Sequence, residues 1–141
     1  IFMVIVSSFG ALSQWPIGYL SDKIDRRIIL IAITFAAAGL SIFIVVSSYI
    51  SLILFFILTA LFSSMCLPLY SVAVAHINDY LNADEIVSAS ATFNKLIGFG
   101  SVLGPILVSS TMTLFGSNGF FIYLFLVHGL LGLFGLLAVL S

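Results

Sequence analysis

The ten residues GYLSDKIDRR, from Gly18 to Arg27, hold five of the nine charged residues in this chain. On both sides of them the sequence is apolar for roughly 20 residues, the length that an α-helix needs to cross a bilayer. Charge is costly inside a membrane. A short charged stretch between two long apolar runs therefore predicts a turn in water that joins two helices in lipid.

The composition supports a membrane setting for the rest of the chain. The 141 residues are 62% hydrophobic and 6% charged, and the mean hydropathy is +1.35. Soluble domains carry about 25% charged residues, because charge keeps a folded surface in water. We therefore expect the lipid bilayer to be the main partner of this surface. The single cysteine, Cys66, excludes a disulfide within the chain.

Five apolar segments predict five helices, since backbone groups in lipid must form their hydrogen bonds within each segment. The expected helices cover residues 1–20, 28–46, 50–75, 86–115 and 119–141. The predicted fold class is an all-α transmembrane helical bundle. In the fourth helix we expect Gly100, Gly104 and Pro105 to allow close packing and a kink.

The basic residues predict the orientation of the chain. Lys23, Arg26 and Arg27 all lie in the first turn, and the second and fourth links carry no lysine or arginine. The positive-inside rule places the first turn in the cytoplasm, and five crossings place the link after residue 75 on the same side. Both ends of the chain lie within apolar segments, so we expect a piece of a longer protein.

Topology requires basic residues in the turn, but it gives no reason for Asp22 and Asp25. Asp22 and Arg26 are four residues apart and can form an ion pair if helical geometry continues between them. The acids therefore indicate a second role for the turn, besides fixing the orientation.

The turn resembles the signature of the major facilitator superfamily, approximately G-x-L-(S/A)-D-(R/K)-x-G-R-(R/K). The matching residues are Gly18, Leu20, Ser21, Asp22, Lys23, Arg26 and Arg27, and Asp25 stands where the pattern has glycine. The segment GSVLGP, residues 100–105, is similar to the fifth helix of exporters in this family. The chain as a whole looks most like the C-terminal half of bacterial permeases of the family.

The resemblance implies a place for the chain in a larger transporter. The turn would join the second and third helices of a six-helix half, so the first helix of that half and the whole other half would lie outside this chain. Gly18, Asp22, Lys23, Asp25, Arg26 and Arg27 would form a cytoplasmic gate, in which the aspartate and the arginine latch the cytoplasmic side.

Polar residues inside the helices are candidates for lining a substrate cavity. Thr59, Ser63, Cys66 and Tyr70 share one face of the third helix at helical spacing. The alternative is that these small polar groups hold neighbouring helices together. Gln14, between two glycines of the first helix, is a similar candidate.

The fourth and fifth helices add three more candidates. Thr92 and Lys95 share a face with Ser88. Lys95 either faces the cavity and binds an anionic or polar solute, or extends to the lipid headgroups. His128 is a candidate for relaying protons, since histidine changes charge near neutral pH, or it forms one hydrogen bond to a neighbouring helix.

The expected function is transport of a small solute by a secondary active transporter of this family, either an exporter or a proton-coupled permease. Expected partners are the bilayer, the substrate, the missing half and protons, in the bacterial inner membrane. We expect no enzyme activity, cofactor, metal or nucleic acid, because the sequence holds no phosphate-binding glycine loop, nucleophile with a base, metal-ligand spacing or long basic run. The alternative is a membrane protein with a structural or sensory role, which would lack a second set of six helices.

Overall fold

The computed structural model describes residues 2–140 and consists of five α-helices joined by short links. The helices are α1 (Phe2–Ser21), α2 (Arg26–Ser47), α3 (Leu52–Asn78), α4 (Ile86–Phe115) and α5 (Gly119–Leu140), and a 3₁₀ turn (Gly116–Asn118) connects the last two. Within the described residues all regular structure is helical. The all-α prediction is confirmed.

Local capping explains why two helices begin away from their predicted starts. Asp25 caps α2, because its carboxylate accepts the backbone N–H of Arg27 at 2.8 Å, and the helix starts two residues earlier than predicted. Ser51 caps α3 in the same way, accepting the N–H of Leu54 at 3.5 Å. Gly116, with φ of 63°, ends α4 in the left-handed region that glycine tolerates.

The helices pack in a continuous series. α1 packs on α3, α3 on α2, α2 on α5, and α5 on α4. The core between α2 and α3 contains Ile29, Ile33 and Val72, with Ile17 of α1 packed against it. α4 has no buried residue among those described, so it contributes least to this core.

Glycines permit two close helix contacts. A Cβ built on Gly10 of α1 would lie 2.8 Å from Cγ of Leu67 on α3. A Cβ on Gly132 of α5 would lie 3.2 Å from the ring of Phe35 on α2. Small residues at such crossings let helices approach closely in lipid, where tight packing replaces the hydrophobic effect as the driving force.

Hydroxyl groups buried between the helices bond to carbonyls of their own helices. Ser41 donates to Ala37 at 2.9 Å, and Thr59 donates to Phe55 at 2.8 Å. Within residues 2–140, every buried side-chain nitrogen or oxygen has a hydrogen-bond partner. Burial of these polar groups is therefore compensated within each helix.

Within residues 2–140, three segments are long and apolar enough to cross a membrane, judged by length and composition. They are Arg26–Ser47, Leu52–Asn78 and Ile86–Leu140, of which the last contains α4, the 3₁₀ turn and α5. α1 is not among these segments, and Gln14 and Pro16 lie in its middle. A membrane crossing by α1 is therefore still a prediction.

Candidate functional site

Arg26 is the centre of the charged turn and joins the ends of three helices. Its Nη2 lies 2.9 Å from Oδ1 of Asp22, which directly follows α1. Its Nε lies 2.8 Å from Oδ2 of Asp79, the residue directly after α3. Arg26 itself begins α2. The ion pair expected between Asp22 and Arg26 is thus present, and the carboxylate of Asp79 is a second partner of the same guanidinium.

The neighbouring arginine makes a separate contact with the same end of α3. Nη2 of Arg27 donates a hydrogen bond to the hydroxyl of Tyr80 at 2.6 Å, and the guanidinium carbon lies 5.7 Å from the centre of that ring. The ring of His76 packs edge-on against Tyr80 at a centroid distance of 5.3 Å. Both arginines of the turn therefore connect α2 to the end of α3.

The first half of the turn is held by α1. The backbone N–H of Asp22 donates to the carbonyl of Gly18 at 3.1 Å, and the buried hydroxyl of Ser21 donates to the same carbonyl at 2.8 Å. Nζ of Lys23 lies 4.3 Å from the centre of the Tyr19 ring, a cation–π contact. Lys23 thus contacts α1, and within residues 2–140 it forms no ion pair with the carboxylates that bind Arg26.

Partial exposure to solvent limits the strength of the Arg26 ion pairs. The Arg26 side chain is 21% exposed, and those of Asp22 and Asp79 are 64% and 50% exposed. Partly exposed ion pairs contribute about 0.2–1 kcal/mol each, because water competes for the charges. Two such bonds can favour one arrangement of the helices without locking it.

The polar residues predicted to share one face of α3 differ in how far they are buried. Thr59 and Ser63 are buried at 2% exposure, whereas Tyr70 is 53% exposed. Gln14 lines a small cleft of about 100 Å³ beneath the charged turn, together with Gly18 and Pro68. The hydroxyls of Thr59 and Ser63 donate to carbonyls of α3 itself. A role for them between helices or in a cavity is still a prediction, as is a cavity role for Gln14 and Tyr70.

His128 and Cys66 form a polar contact between α5 and α3. Sγ of Cys66 lies 3.4 Å from Nε2 of His128, and Nδ1 of His128 lies 2.7 Å from the carbonyl of Leu124. A carbonyl only accepts, so Nδ1 carries the proton and Nε2 accepts from the thiol. Phe62 packs edge-on against the imidazole at 5.6 Å. Both nitrogens of His128 are thus occupied by groups of this chain, and proton relay by this residue is still a prediction.

The candidates on α4 lie in two different grooves. Thr92 and Ser88 line a groove of about 450 Å³ between α4 and the end of α3. Lys95 lines another with Gly98 and Phe99, and its side chain is exposed. Thr92 and Lys95 therefore line different grooves, and a cavity role for each is a separate prediction.

The proposed packing residues of α4 have open space around them. A Cβ on Gly100 or Gly104 would meet nothing within 4 Å among the described residues, and Pro105 lies inside the helix. A packing role for this segment is still a prediction.

Sequence reasoning missed Asp79 and Tyr80 as partners of the turn. Both follow α3 on the side of the bundle where the turn lies, and Asp79 is one of the few acids of the chain. The predicted topology already placed the first and third links on one side of the membrane. Asp79 and Tyr80 in the third link could therefore have been predicted as partners of Arg26 and Arg27 in the first. Among residues 2–140, no group of three or more histidine, cysteine or acidic side chains could hold a metal ion.

Comparison with known proteins shows which family this chain resembles. The family model described as the Major Facilitator Superfamily matches residues 1–141. An uncharacterised MFS-type transporter of Yersinia enterocolitica is 29% identical over 123 residues, which cover 85% of this chain and 30% of that protein. The MFS-type transporter YcaD of Escherichia coli O139:H28 is 31% identical over 120 residues, again 85% of this chain and 30% of the relative. The chain therefore spans about 30% of the length of these relatives. No solved structure matches the chain.

Proposed function

Because this chain belongs to the Major Facilitator Superfamily, we propose that the full-length protein is a secondary active transporter that moves a small solute by alternating access. Family membership and the long apolar helices make the chain part of an integral membrane protein. We place it in the plasma membrane of a bacterium, in keeping with its bacterial relatives. The substrate-binding surface would be completed by parts of the protein outside this chain.

The Arg26 cluster is the observation that supports this function. In alternating access, groups of helices change their relative positions, so the cytoplasmic ends need contacts that hold one state and release it in the other. One guanidinium bonded to Asp22 after α1 and to Asp79 after α3 can serve as such a latch. We propose that this latch stabilises the state in which the cytoplasmic side is closed.

The energy source follows from what the sequence offers. The chain has no glycine-rich phosphate-binding motif, so a gradient of an ion or of the substrate would drive transport. Protons are our candidate coupling ion. The sequence places no carboxylate deep inside a predicted helix, so an acid that carries protons would lie elsewhere in the longer protein.

The latch is tested in the full-length transporter with single substitutions. The solute is first identified by comparing uptake and efflux in cells with and without the protein. Asp22→Asn, Asp79→Asn and Arg26→Ala should each slow its transport several-fold, because each removes a charge from the cluster, while the amount of protein in the membrane stays near normal. Asp84→Asn is the matched control, since it removes an acid from the same link as Asp79 and that acid has no ion pair within residues 2–140.

Two results would contradict the proposal. Wild-type rates in all three cluster variants would remove the latch role. Equal losses in Asp84→Asn would show an effect of net charge rather than of the cluster. If no solute differs between the two cell types, and the longer sequence lacks a second set of six helices, a structural or sensory role is favoured instead.

A further inference from the structure

A groove with a basic mouth lies where α2 begins and α5 ends, beside the last turn of α3, and we call it the α2–α5 groove. Its volume is about 460 Å³. Arg27 and His76 line one end of it, and its walls include Leu30, Ile31, Phe134 and Ala138. Gly135 also lines the groove, and a Cβ there would lie 3.1 Å from Cγ1 of Ile31, so α2 and α5 pack closely at this point.

The polar and apolar residues of the groove lie at different depths along the axes of α2 and α5. Arg27 is in the first turn of α2, and Leu30 and Ile31 follow three and four residues later, about 5 Å deeper at the rise of a helix. α5 runs in the opposite direction and ends at Leu140, so Ala138 lies near the mouth and Phe134 one turn deeper. Phe134 is 72% exposed. The charge is thus at the mouth, and the exposed apolar wall lies below it.

Arg27 is the arginine of the turn that has no carboxylate bonded to its guanidinium. Within residues 2–140 the ion pairs belong to Arg26, whereas the Arg27 guanidinium contacts the neutral hydroxyl and the ring of Tyr80. The carboxylate of Asp25 is nearby, but it accepts the backbone N–H of Arg27. The guanidinium therefore keeps donors for an anion, and the imidazole of His76 adds another at the same mouth.

From this arrangement we propose that the α2–α5 groove binds an anionic phospholipid of the membrane leaflet that faces the charged turn. Arg27 and His76 hold the phosphate, and an acyl chain lies along Leu30, Ile31 and Phe134. Basic pockets between membrane helices near the cytoplasmic surface suit anionic headgroups, and a free phosphate would gain nothing from the apolar wall. Lipid binding in this groove does not depend on the transport function proposed above, because binding requires only that a bilayer surrounds the helices.

The first experiment measures lipid retained by the purified full-length protein. Native mass spectrometry compares bound phosphatidylglycerol with phosphatidylcholine that has the same acyl chains. We expect the wild-type protein to prefer phosphatidylglycerol, and Arg27→Gln to bind it about five-fold more weakly, which is the effect of one basic residue near a membrane surface. Lys23→Gln is the matched control, because it removes a charge from the same turn while Lys23 lies against Tyr19 rather than in the groove.

A second pair of variants tests the apolar wall. Ala138→Phe fills the groove and should lower retention of both lipids. Leu137→Phe introduces the same aromatic side chain at an exposed position of α5 that does not line the groove, and it should change little. Soluble glycerol phosphate should not displace the bound lipid, since it has the headgroup chemistry without acyl chains.

A cross-linking experiment identifies the occupant with little change in the shape of the groove. A benzophenone side chain that replaces the exposed ring of Phe134, in the full-length protein in phosphatidylglycerol vesicles, should form adducts with the mass of the lipid. Adducts with another segment of the protein would show that a further helix fills the groove, and would overturn the proposal. So would equal retention of the two lipids by the wild type, an equal loss in Arg27→Gln and Lys23→Gln, or displacement by glycerol phosphate.

Discussion

Replacing Gly10 with alanine tests the packing of α1 on α3 most directly. A Cβ at this position would lie 2.8 Å from Cγ of Leu67 and would overlap the Cδ1 methyl group. Overpacking of this kind costs about 1–3 kcal/mol. Alanine gains about 1 kcal/mol over glycine in a helix. We therefore expect Gly10→Ala to lower the free energy of unfolding by about 0–2 kcal/mol, the difference between these two effects.

The matched control is Gly39→Ala in α2, where an added Cβ would meet nothing within 4 Å. This change should raise stability by up to about 1 kcal/mol, since only the helix preference applies. Removing the obstacle should also reverse the sign at Gly10. In a Leu67→Ala background, Gly10→Ala should become stabilising, so the two sites should show a coupling energy of about 1–3 kcal/mol.

Thermal unfolding of the full-length protein in detergent, followed by far-UV circular dichroism, measures all four variants. The reasoning fails if Gly10→Ala is as stabilising as Gly39→Ala. It also fails if Gly10→Ala has the same effect with and without the Leu67 side chain, because the α1–α3 contact would then not limit the space at residue 10.

Three further predictions concern orientation, α4 and the cap of α2. In a background without Cys66, a cysteine at Ile24 should react with a membrane-impermeant thiol reagent only from the cytoplasmic side and one at Ser117 only from outside; labelling of both from one side would overturn the five-span topology. Lys95→Met should preserve the amount of protein in the membrane but reduce transport of an anionic or polar solute, whereas unchanged transport would leave Lys95 as an anchor at the headgroups. Asp25→Ala should destabilise the protein by about 1 kcal/mol and Asp25→Gly by a few tenths, because glycine is nearly as good a cap as aspartate; equal thermal shifts would argue against the cap.

The sequence predicted the parts of the fold that depend on neighbouring residues. Long apolar runs identify helices, and the spacing of Asp22 and Arg26 identifies their ion pair, because both patterns are local. The long-range partners were not predictable in the same way. α3 and α5 are mostly apolar and only weakly amphipathic, so periodicity does not show which face packs inward. Neither the contact of Cys66 with His128 nor that of Arg26 with Asp79 follows from spacing. The same limitation explains why spacing alone left two possible roles open for Thr59 and Ser63, one in a cavity and one between helices.

The hydroxyl groups that bond within their own helices have a consequence for how the protein is made. Ser41 and Thr59 satisfy their hydrogen bonds before a neighbouring helix arrives, so each helix can leave the insertion machinery and enter lipid alone. This matters most for α2, whose partner α5 is synthesised last among the described helices. During synthesis of α3 and α4, the face of α2 that later packs against α5 is exposed to lipid. Exposure of this face to lipid costs little, because lipid tails are as apolar as its side chains, and the gain from tight packing comes only when α5 arrives.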